Sequence, residues 1–366
     1  MTVAPPNLYS FATGELSQDA TLAYLLSWAH PDYRDSHPDM HRLGEALLRA
    51  FVSSSAKSQG GPDPLQGKQI SALKVGVQWN RVDVWAEIND DLLLLIEDKT
   101  HACEHSEQIA RYVALAEAHY RKEGAHPRRV LAVYCKTGNE SHANLKAKKG
   151  CGVFTRGDLL AVLSACPAPG NTIVRDFHQH LQELDDDTES FRHRPYAKWS
   201  WNATRGFCLA LERAWAAEGW DSGLNWGDVS NARGGFTGLW WGFTRAPHFG
   251  CDVYLQIEME EHANTLRLRL CNADSGEVAA ATVKAVFKAA AALTREPPYD
   301  RIRFTSAGGK KGGKTTAVSA LSFDGRDGYF ALDSDGKLDF KETLWRLNLA
   351  TRLLVPISMA GGNRTE

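Results

Sequence analysis

The chain has 366 residues, of which 43% are hydrophobic and 23% charged, a size that suits two domains or one large one. A net charge of −2 excludes a strongly basic nucleic-acid coat protein, although a local basic patch could still bind nucleic acid. Seven scattered cysteines without a Cys-x-x-Cys pair argue against a disulfide framework or zinc ribbon. The sequence has no membrane-spanning stretch and no signal-peptide pattern, so we expect a cytoplasmic protein without membrane contact.

The first predicted element is an amphipathic helix that follows Gly14. Apolar residues at positions 22, 25 and 26 have helical spacing. Glu15 and Asp19 are four residues apart and therefore share a helix face. An acidic first turn is also favoured by the helix dipole alone, and this structural explanation applies more readily to Asp19 than to Glu15.

A β-hairpin is the next predicted element. Residues 81–88 alternate between polar and apolar, and residues 92–96 form a continuous apolar run. The polar triplet at 89–91 lies between them, and three residues is a common hairpin loop length. The pattern therefore predicts two antiparallel strands.

The predicted register brings three charged side chains together. Pairing Ile88 with Leu92 sets Asp83 opposite Glu97, with the two side chains about 5 Å apart. Lys99 lies two residues beyond Glu97 and points to the same face. A loop of another length would shift the register by one residue and separate the set.

Two carboxylates and a lysine at the end of an apolar strand suit metal-dependent phosphodiester cleavage. Carboxylate oxygens are ligands for Mg²⁺ or Mn²⁺, a bound ion activates water, and an ammonium group is a point charge for phosphate. Strand-end charge would explain Glu97 or Lys99 singly, but it explains the complete set poorly.

A second helix and a further strand follow the hairpin. Gln108 and Tyr112 are four residues apart and share one face of a helix that is predicted to run to about residue 120. The apolar run at 130–134 predicts another core strand.

Asp83 followed by Glu97-x-Lys99 resembles the core motif of the PD-(D/E)XK nuclease superfamily. Gln108-x-x-x-Tyr112 after it is similar to the branch that contains RecB-type nucleases and lambda exonuclease. The resemblance covers roughly residues 9–165. It departs from the family pattern at Val82, where the first motif has proline.

The resemblance implies an α/β (α+β) fold class, with a restriction-endonuclease-like core in which helices flank a mixed sheet. It also implies a site for one or two Mg²⁺ or Mn²⁺ ions. Asp83 and Glu97 would bind the metal, with the Asp98 carbonyl as an extra ligand. Glu15 would contact the ion directly or through water.

The resemblance gives the remaining site residues their expected roles. Lys99 would position the attacking water or stabilise the transition state, and Gln108 and Tyr112 would order the site and the substrate backbone. We therefore expect a metal-dependent nuclease that prefers DNA to RNA on family grounds and acts in bacterial anti-phage defence or DNA repair. The alternative is a catalytically silent module of the same fold that binds nucleic acid or protein.

The acidic run at 182–189 predicts a solvated linker and a domain boundary. We expect a nuclease-like domain at 1–181, a linker at 182–195 and a second domain at 196–366. The second domain could serve substrate selection, partner binding or homo-oligomer formation.

An α+β domain built on an antiparallel sheet is predicted for the second half of the chain. Its tryptophans could stack on bases, although core packing is the favoured role. Helices are expected near 202–217, 276–293 and 341–353, and strands near 251–258, 265–270, 301–306 and 315–323.

Residues 308–315 match the literal P-loop pattern, Gly-x-x-x-x-Gly-Lys-Thr. A P-loop leads into a helix, whereas the alternating residues after it predict a strand and hence a basic hairpin loop. Lys310, Lys311 and Lys314 could then contact nucleic-acid phosphates. A nucleotide-binding switch that uses Lys314 stays open as an alternative.

Overall fold

A computed structural model describes residues 6–100, 108–122, 128–168, 170–219, 223–230, 235–260, 263–306, 313–326 and 328–360. The chain divides into two compact units. Unit 1 comprises Met1–Glu140 and Asn144–Asp186, and unit 2 comprises Ser141–Ala143 and Asp187–Glu366.

A five-stranded mixed sheet forms the centre of unit 1. The first three strands are antiparallel neighbours, and the last three are parallel. Every residue of the third strand except the last is buried, as expected for a central strand covered on both faces. In spatial order the strands are β1 (Leu73–Trp79), β2 (Val82–Ile88), β3 (Leu92–Lys99), β4 (Arg129–Lys136) and β5 (Gly152–Thr155).

Helices cover both faces of this sheet, which confirms the expected restriction-endonuclease-like arrangement. On one face, Leu25 of α1 (Glu15–Ser27) and Phe51 of α2 (Pro38–Ser58) belong to the same core cluster as Ile96 of β3. On the other face, Tyr112 of α3 (Gln108–Lys122) packs against Leu95. The helices are α1 (Glu15–Ser27), α2 (Pro38–Ser58), α3 (Gln108–Lys122), α4 (His142–Lys146), α5 (Arg156–Ala165) and α6 (Thr172–Glu189).

The acidic run at 182–189 is helical and forms the end of α6, and the division between the two units falls within it. Gln182 donates a hydrogen bond to Asp186 one turn later, and such pairs stabilise a polar helix. Asp185 also accepts hydrogen bonds from Arg156. The proposed division into domains at 1–181 and 196–366 stays a prediction.

Unit 2 contains a six-stranded antiparallel sheet, as predicted, and its helices match the predicted ranges closely. The strands are β6 (Asn225–Val229), β7 (Phe236–Ala246), β8 (Cys251–Met259), β9 (Asn264–Cys271), β10 (Ile302–Ser306) and β11 (Thr315–Phe323). Their spatial order is β10-β11-β9-β8-β7-β6. The helices are α7 (Trp201–Ala217), α8 (Ala280–Leu293), α9 (Phe340–Arg352) and α10 (Leu354–Met359).

Two tryptophans have the core role that the sequence favoured. The rings of Trp215 and Trp241 lie 5.2 Å apart, and both residues are buried. Their Nε1 groups donate to Asn348 and Thr351, which satisfies the polar atom of each ring.

The glycine- and lysine-rich segment joins two antiparallel strands. β10 and β11 are neighbours in the sheet, and Thr315 begins a strand rather than a helix. This arrangement contradicts the P-loop and the nucleotide-binding switch, because a P-loop needs a following helix. Lys314 is exposed, whereas Lys310 and Lys311 lie outside the described residues. No helix in the described part of the chain is long and apolar enough to span a membrane.

Candidate active site

The hairpin of β2 and β3 has the register that the loop length predicted. Ile88 pairs with Leu92, and Val84 pairs with Ile96. Continuing this register by one residue sets Asp83 opposite Glu97.

Three side chains meet at this end of the hairpin. Lys99 Nζ lies 2.6 Å from Glu97 Oε1 and 3.3 Å from Asp83 Oδ2. Asp83 Oδ2 also accepts the backbone N–H of Asp98 at 3.0 Å. The lysine therefore bridges the two carboxylates.

Burial and mutual charge set the protonation of this group. The Glu97 side chain is 1% exposed, and burial, opposed by Lys99, raises its pKa to about 7. Burial lowers the pKa of Lys99. The hydrogen bond to Glu97 and the charges of Glu97 and Asp83 raise this pKa by more than burial lowers it. Lys99 consequently has a raised pKa and stays protonated at neutral pH.

Helix α1 brings two further carboxylates to this site. Glu15 Oε1 accepts the backbone N–H of Thr100 at 3.2 Å, directly after the strand that carries Lys99. Asp19 is 3% exposed, and burial, together with the charge of Asp83, raises its pKa to about 6. Both acidic residues of the predicted helix face therefore face the hairpin.

Helix α3 contributes the predicted glutamine–tyrosine pair. Gln108 Nε2 donates to the Tyr112 hydroxyl at 2.5 Å. Burial raises the pKa of Tyr112, and the negative charges of Glu97 and Asp83 raise it further. The structure thus brings Gln108 and Tyr112 to the same side of the sheet as the three hairpin residues.

Sequence analysis did not identify Gln18 as part of this region. Gln18 Nε2 donates to both carboxylate oxygens of Asp98, and Gln18 Oε1 accepts the Thr137 hydroxyl at 2.9 Å. Asp98 is fully buried, and burial raises its pKa well above the usual range. No local sequence signal marks this contact, because its partners come from three separate elements.

A divalent metal fits the donor atoms that the hairpin and α1 present. Glu97 Oε2 and Asp19 Oδ1 are buried and accept no hydrogen bond from the described residues, which is costly unless another group engages them. Asp83 and Glu97 supply two carboxylates. Proteins commonly bind Mg²⁺ through one or two carboxylates, and water and substrate phosphates fill the remaining coordination positions.

The larger predicted metal set is not assembled as a single cluster. The described residues contain no group of three or more His, Cys, Asp or Glu side chains arranged to hold one metal ion. The Asp98 carbonyl accepts Lys99 Nζ at 2.8 Å, and Glu15 is engaged with Thr100. Metal binding by Asp98 and Glu15 therefore stays a prediction.

Comparisons with known proteins agree with this geometry. The family model described as the PD-(D/E)XK nuclease superfamily matches residues 6–189, half of the chain. A search of curated proteins and a search of solved structures each found no match. The matched range contains every element that carries the hairpin, the acidic helix and the glutamine–tyrosine pair, and the chain therefore belongs to the PD-(D/E)XK nuclease superfamily.

Proposed function

We propose that this chain is a metal-dependent nuclease that hydrolyses phosphodiester bonds of nucleic acid. The observation that supports it best is the bridge from Lys99 to Asp83 and Glu97, with Glu97 Oε2 buried and unpaired among the described residues. Asp83 and Glu97 would hold one or two ions, Mg²⁺ or Mn²⁺. A bound ion would lower the pKa of a water and offset charge on the scissile phosphate.

Lys99 acts as a cation in this proposal, because its raised pKa keeps the proton on Nζ at neutral pH. It therefore cannot accept a proton from water. Instead, its N–H groups orient the attacking water and stabilise the negative charge that develops on the phosphate oxygens. Removal of one preorganised donor of this kind costs roughly a hundredfold to a thousandfold in rate.

Tyr112 and Gln108 orient the substrate backbone. Gln108 Nε2 donates to the tyrosine oxygen, so the hydroxyl proton can point towards a phosphate oxygen. Burial, together with the charges of Glu97 and Asp83, raises the pKa of Tyr112, so the hydroxyl stays neutral. A neutral tyrosine hydroxyl can donate a hydrogen bond to the anionic phosphate backbone of the substrate.

We further propose DNA rather than RNA as the substrate and anti-phage defence or DNA repair as the setting, both by analogy with the family. The cytoplasmic location and the formation of a homo-oligomer remain predictions. The phosphate contacts also remain a prediction, for Lys310, Lys311 and Lys314.

The test is a cleavage assay on linear and circular DNA, single- and double-stranded, and on RNA. The wild type, Lys99→Ala and Lys57→Ala are compared with Mg²⁺, Mn²⁺ and EDTA. Lys57 is an exposed lysine in the last turn of α2 and serves as the matched control. We expect metal-dependent cutting that Lys99→Ala abolishes and Lys57→Ala retains.

Equal cutting by wild type and Lys99→Ala would place the site elsewhere. Mg²⁺ binding by a folded wild type without any cutting would favour the catalytically silent module.

A further inference from the structure

The sheet of unit 2 has two faces of different character. One face belongs to the hydrophobic core, where Leu255 and Leu268 lie in the same cluster as Val286 of α8 and Leu354 of α10. We call the other side the open face. Its strand positions carry four aromatic and four basic side chains: Phe236, Trp240, Phe243, Tyr254, Arg245, Arg267, Arg269 and Arg303.

Strand pairing assigns these side chains to one face. Trp240 pairs with Gln256, which pairs with Arg267 on the following strand. Tyr254 pairs with Arg269. Because paired residues on adjacent strands point the same way, the aromatic and basic side chains lie beside each other across β7, β8 and β9.

The aromatic part of the open face has one exposed ring, Phe243, two half-buried rings, Phe236 and Trp240, and a buried ring, Tyr254. Phe243 is 43% exposed and stacks on Tyr254, with ring centroids 4.6 Å apart and an interplanar angle of 14°. Gly238 separates Phe236 from Trp240, and a Cβ at this glycine would lie 3.1 Å from each ring. The glycine therefore lets the two rings lie close to the sheet surface.

The basic part of the open face complements a phosphate backbone. The strand positions of this face carry four arginines and two carboxylates, Asp252 and Glu258, and Asp274 pairs with Arg245 as a third carboxylate. One positive charge remains in excess, although the whole chain has a net charge of −2. Glu258 lies 2.5 Å from Arg267 and 3.5 Å from Arg269, which holds both guanidinium groups in place. A guanidinium has five N–H donors, so Arg267 and Arg269 each keep donors that Glu258 does not use.

The basic surface continues towards the segment that sequence analysis singled out. Arg269 Nη2 donates to Thr315 Oγ1 at 3.4 Å, and the exposed Lys314 directly precedes Thr315. Lys314 therefore lies next in sequence to a residue that Arg269 of the open face contacts.

We propose that the open face binds single-stranded nucleic acid. Unpaired bases stack on Phe243 and Trp240, and the arginines contact the phosphates, the combination that single-strand binding surfaces use. A duplex lacks accessible base faces and binds less tightly. This binding surface uses residues of unit 2 alone and requires no chemistry at Asp83.

The test measures binding without cleavage. The full chain with Lys99→Ala is titrated in EDTA against a fluorescein-labelled single-stranded DNA of about 20 nucleotides, followed by fluorescence anisotropy. Phe243→Ala and Trp240→Ala should each raise Kd by roughly fivefold or more, since one stacked base is lost. Trp345, 45% exposed on α9, provides the matched control, and Trp345→Ala should leave Kd unchanged.

Salt dependence and competition test the remaining parts of the proposal. Lys314→Ala should reduce the slope of log Kd against log salt by about one, and unlabelled duplex should compete at least about tenfold less well than single strand. Thermal unfolding checks that each variant folds. The proposal is overturned by the absence of wild-type binding, by unchanged Kd in folded Phe243→Ala and Trp240→Ala, or by equal losses in Trp345→Ala. It is also overturned by equal competition from duplex. Because no arm depends on cleavage, a failure of the nuclease proposal would leave this result interpretable.

Discussion

Gln18 Nε2 donates to both carboxylate oxygens of Asp98, at 2.6 and 2.8 Å. Both residues are buried, and they are separated by 80 positions in the sequence. Since α1 carries Glu15 and β3 carries Lys99, this contact sets the distance between the acidic helix and the strand that carries the candidate catalytic residues.

Gln18→Leu should destabilise the protein by about 1–3 kcal/mol, because it leaves the buried carboxyl of Asp98 without its donor. The loss should appear in chemical unfolding monitored by circular dichroism. Gln179→Leu is the control, since Gln179 is exposed on α6 and bonds only to Glu183 among the described residues; its effect should stay within about 0.5 kcal/mol. Equal effects of the two variants would show that the Gln18 contact does not hold α1.

Stability in EDTA should fall as pH rises through the pKa of Glu97. The pKa is raised from 4.5 to about 7 in the folded chain, so this group stabilises the fold fully below about pH 4.5 and loses that contribution as pH passes 7. The raised pKa of Lys99 acts only at higher pH and adds no slope here. Unfolding midpoints of wild type and Glu97→Gln should therefore converge at acidic pH and separate by about pH 8, with wild type the less stable. Parallel profiles would show that Glu97 does not titrate in this window.

Asp19→Asn should weaken Mn²⁺ binding more than Glu15→Gln. Asp19 is almost fully buried, has an unpaired Oδ1 among the described residues, and lies in the field of Asp83. Glu15 is half-buried and accepts a backbone hydrogen bond. Isothermal titration of the metal-free chain with Mn²⁺ measures both affinities, and a larger loss in Glu15→Gln would restore the order that the sequence favoured. Asp19→Asn should also stabilise the metal-free protein at neutral pH, because it removes the cost of burying a carboxylate and the repulsion with Asp83.

Gln108 and Tyr112 should act as a unit in cleavage. Tyr112→Phe removes the hydroxyl that accepts from Gln108, and we expect roughly a tenfold loss in kcat/KM with little change in stability. Gln108→Leu should cause a similar loss, and the double variant should be no worse than either single variant. Additive losses would mean that the two side chains contact the substrate independently. Tyr33→Phe, at an exposed ring, should leave the rate unchanged.

Gly44→Ala should destabilise unit 1 by about 1–3 kcal/mol. A Cβ at Gly44 would lie 2.7 Å from both the Ala29 nitrogen and the Leu25 carbonyl oxygen, so α1 and α2 would have to move apart. Gly157→Ala on α5 is the control, since the nearest atom to its Cβ would be Thr155 Oγ1 at 3.7 Å. Thermal unfolding should show a loss for the first variant and no loss for the second; the reverse order would show that the helices tolerate separation.

The hairpin was predictable because its geometry is local. Asn89 and Asp90 adopt positive φ angles of 51° and 58°, which asparagine and aspartate tolerate in turns. The alternation of β2 then admits one register that buries its apolar face. The glutamine–tyrosine pair was predictable for the same reason, because helical spacing alone brings positions 108 and 112 together.

Other elements were not identified from the sequence. β1 does alternate between apolar residues and polar residues or glycine from Leu73 to Trp79, which is a strand pattern, but none of its seven residues is buried in the structure. The acidic end of α6 had the composition of a linker, and only its side-chain pairs and Arg156 explain why it is helical.

The sequence by itself determined the order of the elements, the hairpin register and the identity of Asp83, Glu97 and Lys99 as a set. Tertiary structure decided that Asp19 joins them, that Gln18 holds Asp98, and that Glu97 has its pKa near 7. The physical reason is that spacing along one strand or helix follows from backbone geometry. Burial and the fields of distant charges exist only when separate elements pack together.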